Sequence, residues 1–155
     1  WQLFKAKLTV MAIFAFVVSL IQTIFLKFII QGMQVSVTPV SLSLFLFTTF
    51  LVCLFLSCLH LCLAFIYPKP SVTVVTGLIG SFLSFVGIGA LPFPIRIFIP
   101  WQYFSMMGIA KRVAGTNTYL FQYDNAYPFK LVTLLLIIFL SIFVSKKLIG
   151  KADLL

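Results

Sequence analysis

Four stretches of this chain, 7–30, 41–67, 71–91 and 131–149, approach or exceed the length of a bilayer crossing, and none holds an acidic residue. A helix needs roughly 20 mainly apolar residues to cross about 30 Å of hydrocarbon. Composition removes the soluble alternative. The chain is 63% hydrophobic and 8% charged, with a mean hydropathy of +1.22, whereas a soluble domain is about half apolar and about a quarter charged. Excess apolar surface on this scale has to face lipid. The fold class expected is therefore all-α: a polytopic transmembrane helix bundle forming one membrane domain over residues 1–155.

The stretch 71–130 organises the rest. It starts as an apolar run with a seam of small residues, Gly77, Gly80, Ser84 and Gly87, then meets Pro92, Pro94 and Pro100 and passes through Trp101-Gln102-Tyr103. Irregular backbone at membrane depth survives only where protein or a watery cavity covers it. We therefore expect 92–113 to be a re-entrant or interfacial half-helix rather than a crossing, with 114–130 an outer loop. Before it, Pro68-Lys69-Pro70 makes a tight turn, because proline disfavours helix in the residue preceding it. The chain begins at Trp1, and we expect its native start upstream; the run 7–30 is too long for a signal peptide and lacks a small-residue cleavage site.

The net charge is +9, from 11 basic and 2 acidic residues. In a soluble protein this balance would suggest nucleic acid. Here the bases stand singly or in pairs at the ends of apolar runs, which points to membrane anchoring, topology and contact with anionic lipid. Four crossings put both ends on one side. Lys5, Lys7, Lys69, Lys146, Lys147 and Lys151 would then be cytoplasmic, and Lys27, Arg96, Lys111, Arg112 and Lys130 outer or re-entrant. Trp101, Tyr103, Tyr119, Tyr123 and Tyr127 fall between the last two crossings and are expected at headgroup depth.

Cys53, Cys58, His60 and Cys62 resemble a ligand set only in one dimension. On a helix Cys58 and Cys62 share a face at i,i+4, and Cys53 and His60 share another at i,i+7. At about 100° per residue the two faces are well separated, so no metal site is expected. An ionisable group inside a span usually faces protein or water, so His60 either touches a transport path or bonds across helices. Small residues at three- and four-residue steps let helices approach closely. The seam thus packs against a helix of this chain or of a second subunit, or else marks a flexible gating helix. Asp124, beside Asn125, is a solvated turn, a partner for Lys111 or Arg112, or a substrate contact. Arg96 sits in an apolar context, needs water, a carbonyl or a headgroup, and is the foremost candidate for function.

No enzyme chemistry is expected. The spans carry no acid, there is a single histidine, and neither a phosphate-binding Gly-rich loop nor a His-Glu zinc motif is present. Serines occur without a base and orienting acid in reach by sequence. No cofactor is expected in this chain, and any energy has to come from a partner.

Four short signals carry a resemblance: Ile99-Pro100-Trp101 after the glycine-bearing span, the polar loop 115–128, the closing Lys146-Lys147 with Lys151-Ala152-Asp153, and the basic start Phe4-Lys5-Ala6-Lys7. With the order of apolar runs, they make the chain resemble the C-terminal part of a type-2 ABC exporter permease of the bacteriocin-immunity, or lantibiotic-protection, kind. The resemblance implies two further spans before Trp1, a second permease subunit, and ATP bound by partner ATP-binding subunits. It also implies a bacterial plasma membrane and outward movement of an amphipathic peptide or lipid-like molecule. Arg96, Trp101 and Tyr103 would line or cap the exit, with His60 and Asp124 as further path residues. Two other readings stand beside it: a non-transporting assembly subunit docked through the glycine seam, and a substrate-binding membrane component of a vitamin uptake system.

Overall fold

The structure, a computed structural model, describes residues 1–33, 37–67, 69–90, 92–108, 110–112, 119–121 and 125–152. Four long helices dominate: α1 (Gln2–Gly32), α2 (Pro39–Ile66), α3 (Pro70–Ala90) and, at the end of the chain, α6 (Tyr127–Ala152). Between α3 and α6 lie two four-residue helices, α4 (Phe93–Arg96) and α5 (Tyr103–Met106), joined through a 3₁₀ turn at Pro100–Gln102. Two three-residue strands follow, β1 (Ala110–Arg112) and β2 (Tyr119–Phe121), paired antiparallel with Lys111 opposite Leu120. The expected all-α bundle is present, with this hairpin as its one extended piece among the described residues.

Among the described residues three helices are long and apolar enough to cross a membrane: Gln2–Gly32, Pro39–Ile66 and Tyr127–Leu148. The protein is therefore membrane-embedded. Helix α3 itself runs 21 residues, Pro70–Ala90, and its described apolar stretch, Pro70–Val86, is shorter than these three. Outward-facing rings reinforce the assignment. Phe14, Phe82, Phe85 and Phe139 are each at least two-thirds exposed, an arrangement at home in hydrocarbon and costly in water.

Helix α2 is the axis, with α1, α3 and α6 all packing on it. One core cluster joins its Leu51, Val52 and Phe55 to Tyr103, Met107, Tyr127, Leu134 and Ile138. A second, nearer the chain ends, gathers Phe4, Cys58 and Leu61 with Phe65 and Ile142 against them. Most serine and threonine hydroxyls in the long helices donate back to a carbonyl three or four residues earlier. Ser19 to Ala15 at 2.7 Å, Thr76 to Val72 at 2.7 Å and Ser145 to Ser141 at 2.7 Å are examples. Each hydroxyl is thereby satisfied without a partner helix.

Helix ends differ from expectation for local reasons. Helix α1 begins five residues before the expected start. Phe4 is fully buried, edge-on to Phe65 at 5.7 Å, so Lys5 and Lys7 lie inside the first turns rather than ahead of them. Helix α6 begins at Tyr127, because Pro128 takes a first-turn position where its missing N–H costs nothing. Lys130 is consequently not a loop residue. It is buried in α6, with Nζ donating to Met106 O at 3.4 Å. Helix α2 opens with Pro39 at its first position, after Thr38. The Thr38 hydroxyl accepts a bond from Ser41 N at 3.2 Å. Replacing Thr38 with Ala should cost about 1 kcal/mol, the usual value of a cap, read as a lowered melting temperature by circular dichroism in detergent. At its other end α2 stops at Tyr67, whose extended backbone is what the residue before Pro68 requires.

Candidate functional site

The three prolines expected to break the chain each start a short turn. Pro92 is extended and caps α4, Pro94 lies in the first turn of α4, and Pro100 opens the 3₁₀ turn after an extended Ile99. The result is a wedge that doubles back along α3. Trp101 reaches Gly80, ten residues before the end of α3, which is about 15 Å of helix and roughly half a hydrocarbon core.

Glycine makes room for that return. A Cβ at Gly80 would overlap the Trp101 indole, with Trp101 Cε3 at 2.6 Å. One turn away, a Cβ at Gly77 would sit 3.2 Å from His60 Cε1. His60 in turn meets Trp101 edge-to-face, with ring centroids 5.8 Å apart and planes at 83°. The seam does provide close approach, and its occupants are two side chains of the same protein. The helical position of Gly87 is described but its surroundings are not.

Hydrogen bonds pin the wedge. Ser84 departs from the self-bonding pattern of the other helix hydroxyls and donates to Trp101 O at 2.8 Å. Gln102, fully buried, donates through Nε2 to Leu83 O at 2.8 Å and Ser84 O at 3.1 Å. Its Oε1 accepts from Arg96 Nε at 3.2 Å, and Arg96 Nη2 donates to Ser105 Oγ at 2.8 Å. Ser105 Oγ itself lies 2.9 Å from Gln102 O and 3.1 Å from Gln102 Oε1, so one proton serves two acceptors.

Between α2, α3 and the wedge lies a cleft of about 400 Å³ lined by Leu56, His60, Gly77, Ser81, Ser84, Trp101 and Phe104. It brings an imidazole, two hydroxyls and an indole together inside an apolar bundle. Such a lining suits the polar group of an amphipathic molecule whose remainder stays in hydrocarbon.

The residues expected from sequence divide cleanly. His60, Gly77, Ser84 and Trp101 meet at this cleft, and Gly80 seats the Trp101 ring. Arg96 is half-buried and directed at Gln102 and Ser105, not at the cleft. Tyr103 is 1% exposed, packed edge-on to Phe55 at 6.0 Å. Tyr103 and Tyr127 are therefore core residues whose rings face protein. Asp124 lies outside the described residues. The cysteines diverge as helical geometry requires. Cys53 lines a cavity facing α1, and Cys58 is buried toward α6, with Ser141 Oγ 3.8 Å from its sulfur. Gln102, Ser105 and Phe104 were not anticipated. An amide directly after a Pro-Trp pair in an apolar run was the one signal available for Gln102.

No family model, curated protein or solved structure matches the chain.

Proposed function

We propose that the protein is a permease-type subunit of a bacterial plasma-membrane transporter that moves an amphipathic peptide or lipid-like molecule, powered by a partner ATP-binding subunit. In this reading α3, 21 residues and about 30 Å long, is a fourth crossing. Both chain ends are cytoplasmic, and the wedge is the re-entrant element expected before the last span. The observation that carries the proposal is the polar cleft. A bundle built only to dock other subunits has no use for His60 and Ser81 around an open volume beneath a folded-back tryptophan. The resemblance to exporter permeases supplies the ATP-binding partner and a second permease subunit.

The test starts from native membranes. The protein should co-purify with a nucleotide-binding protein. Substrate-stimulated ATP hydrolysis by that complex should fall severalfold on Trp101→Ala or His60→Ala while assembly persists. A protein that purifies alone, or a complex whose hydrolysis ignores both substitutions, removes the proposal.

A further inference from the structure

Two cavities on the α1–α2 face meet end to end. One, of about 430 Å³, is lined by Ala6, Lys7, Val10, Met11 and Leu61. The other, of about 380 Å³, shares Val10 and Met11 and runs on past Ala15 and Val18 to Cys53 and Phe104. Together they form a groove with apolar walls and one charge, Lys7, at its mouth. We propose that this groove holds an acyl chain of an anionic phospholipid whose phosphate is bound by Lys7.

Three observations select that occupant. The first is depth. From Lys7 to Val18 is about 16 Å of helix, close to half of the ~30 Å hydrocarbon core, so the groove spans one leaflet. The second is charge. Lys7 is exposed, and its ammonium stands 5.4 Å from the centre of the Phe65 ring. The third is setting. Phe4 against Phe65, and Ile142 against the same cluster, place the start of α1, the end of α2 and the last turns of α6 at one end of the bundle. That end carries Lys5, Lys69, Lys146 and Lys147 as well as Lys7, with Trp1 and the exposed Tyr67 beside them. Basic residues and amphipathic rings at one level mark the headgroup region of a leaflet. A tail in the groove and a phosphate on Lys7 fit one molecule of that leaflet. The inference rests on membrane insertion of α1 and α2 and is independent of whether the protein transports anything.

Native mass spectrometry of the full chain in detergent, titrated with phosphatidylglycerol or phosphatidylcholine, tests it. Phosphatidylglycerol should be retained at one molecule per chain under conditions that strip phosphatidylcholine. Lys7→Gln should weaken retention about fivefold, the effect of one lysine at a lipid surface, and Lys7→Arg should restore it. Lys27→Gln removes the same charge from an exposed position near the other end of α1 and should change nothing. Val10→Trp fills the junction of the two cavities from a site 67% exposed, so it should abolish retention without lowering helix content. Equal retention of both lipids, equal effects of Lys7→Gln and Lys27→Gln, or full retention in a folded Val10→Trp variant would each overturn the proposal.

Discussion

Gly80→Ala should destabilise the protein by about 1–3 kcal/mol, the usual cost of forcing extra volume into a packed site, and should do so only while Trp101 is present. The new methyl would occupy space already filled by the indole, and the obstruction is the fused edge of a rigid ring rather than the tip of a flexible chain. Ser84 donates to the Trp101 carbonyl, and the amide of the next residue grips α3. Those bonds fix the backbone that carries the indole, so the ring yields only by leaving its rotamer or by lifting the wedge. In a Trp101→Ala background the same Gly80→Ala change should cost close to nothing. Residues in direct contact are expected to couple in this way. The cycle can be read from melting temperatures in detergent. Acrylamide quenching of Trp101 in a Trp1→Phe background gives a second readout, and quenching should rise in Gly80→Ala as the ring leaves α3. Equal costs of Gly80→Ala with and without the indole would mean that the wedge does not rest on this glycine.

That coupling also shows what the sequence could and could not reveal. Helix positions were legible because an apolar run of bilayer length has few other ways to satisfy its backbone. Their ends slipped by a few residues wherever a side chain found an unexpected role, as with Phe4 buried under Phe65 and Pro128 starting a helix. The break before the last helix was legible from Pro92, Pro94 and Pro100, since each removes a donor and restricts its predecessor. The direction of the return was not. Nothing in the spacing of Gly77 and Gly80 says that an imidazole and an indole, rather than a neighbouring helix, fill the gaps. The aromatic-belt rule speaks of depth and not of direction, and both Tyr103, on the wedge, and Tyr127, on α6, turn inward to the cluster that holds Phe55 and Leu134. Arg96 was singled out on sound grounds, a charge in need of partners. What escaped notice was that Gln102 and Ser105, six and nine residues on, would supply them. Such a network leaves no periodic trace.

Gln102 is therefore where the wedge is most vulnerable. Gln102→Leu should cost about 3 kcal/mol or more, because it strips one of two acceptors from a half-buried guanidinium and removes the two amide bonds to α3, and polar groups left bare in an apolar interior cost about 1–3 kcal/mol each. Leucine matches the size of glutamine well enough that lost volume cannot explain the effect. Adding Arg96→Met should recover part of the stability, since the stranded charge goes with it. Gln102→Glu separates the two halves of the network. A carboxylate would hold Arg96 more tightly than the amide does, yet it has no N–H for the carbonyls of Leu83 and Ser84 and would be repelled by both. If the grip on α3 is what keeps the wedge folded back, Gln102→Glu should melt well below the natural protein despite its stronger pairing with Arg96. Melting of Gln102→Glu at or above the natural temperature would assign the hold to Arg96 and the indole, and would leave the two bonds to α3 with no part in closing the cleft.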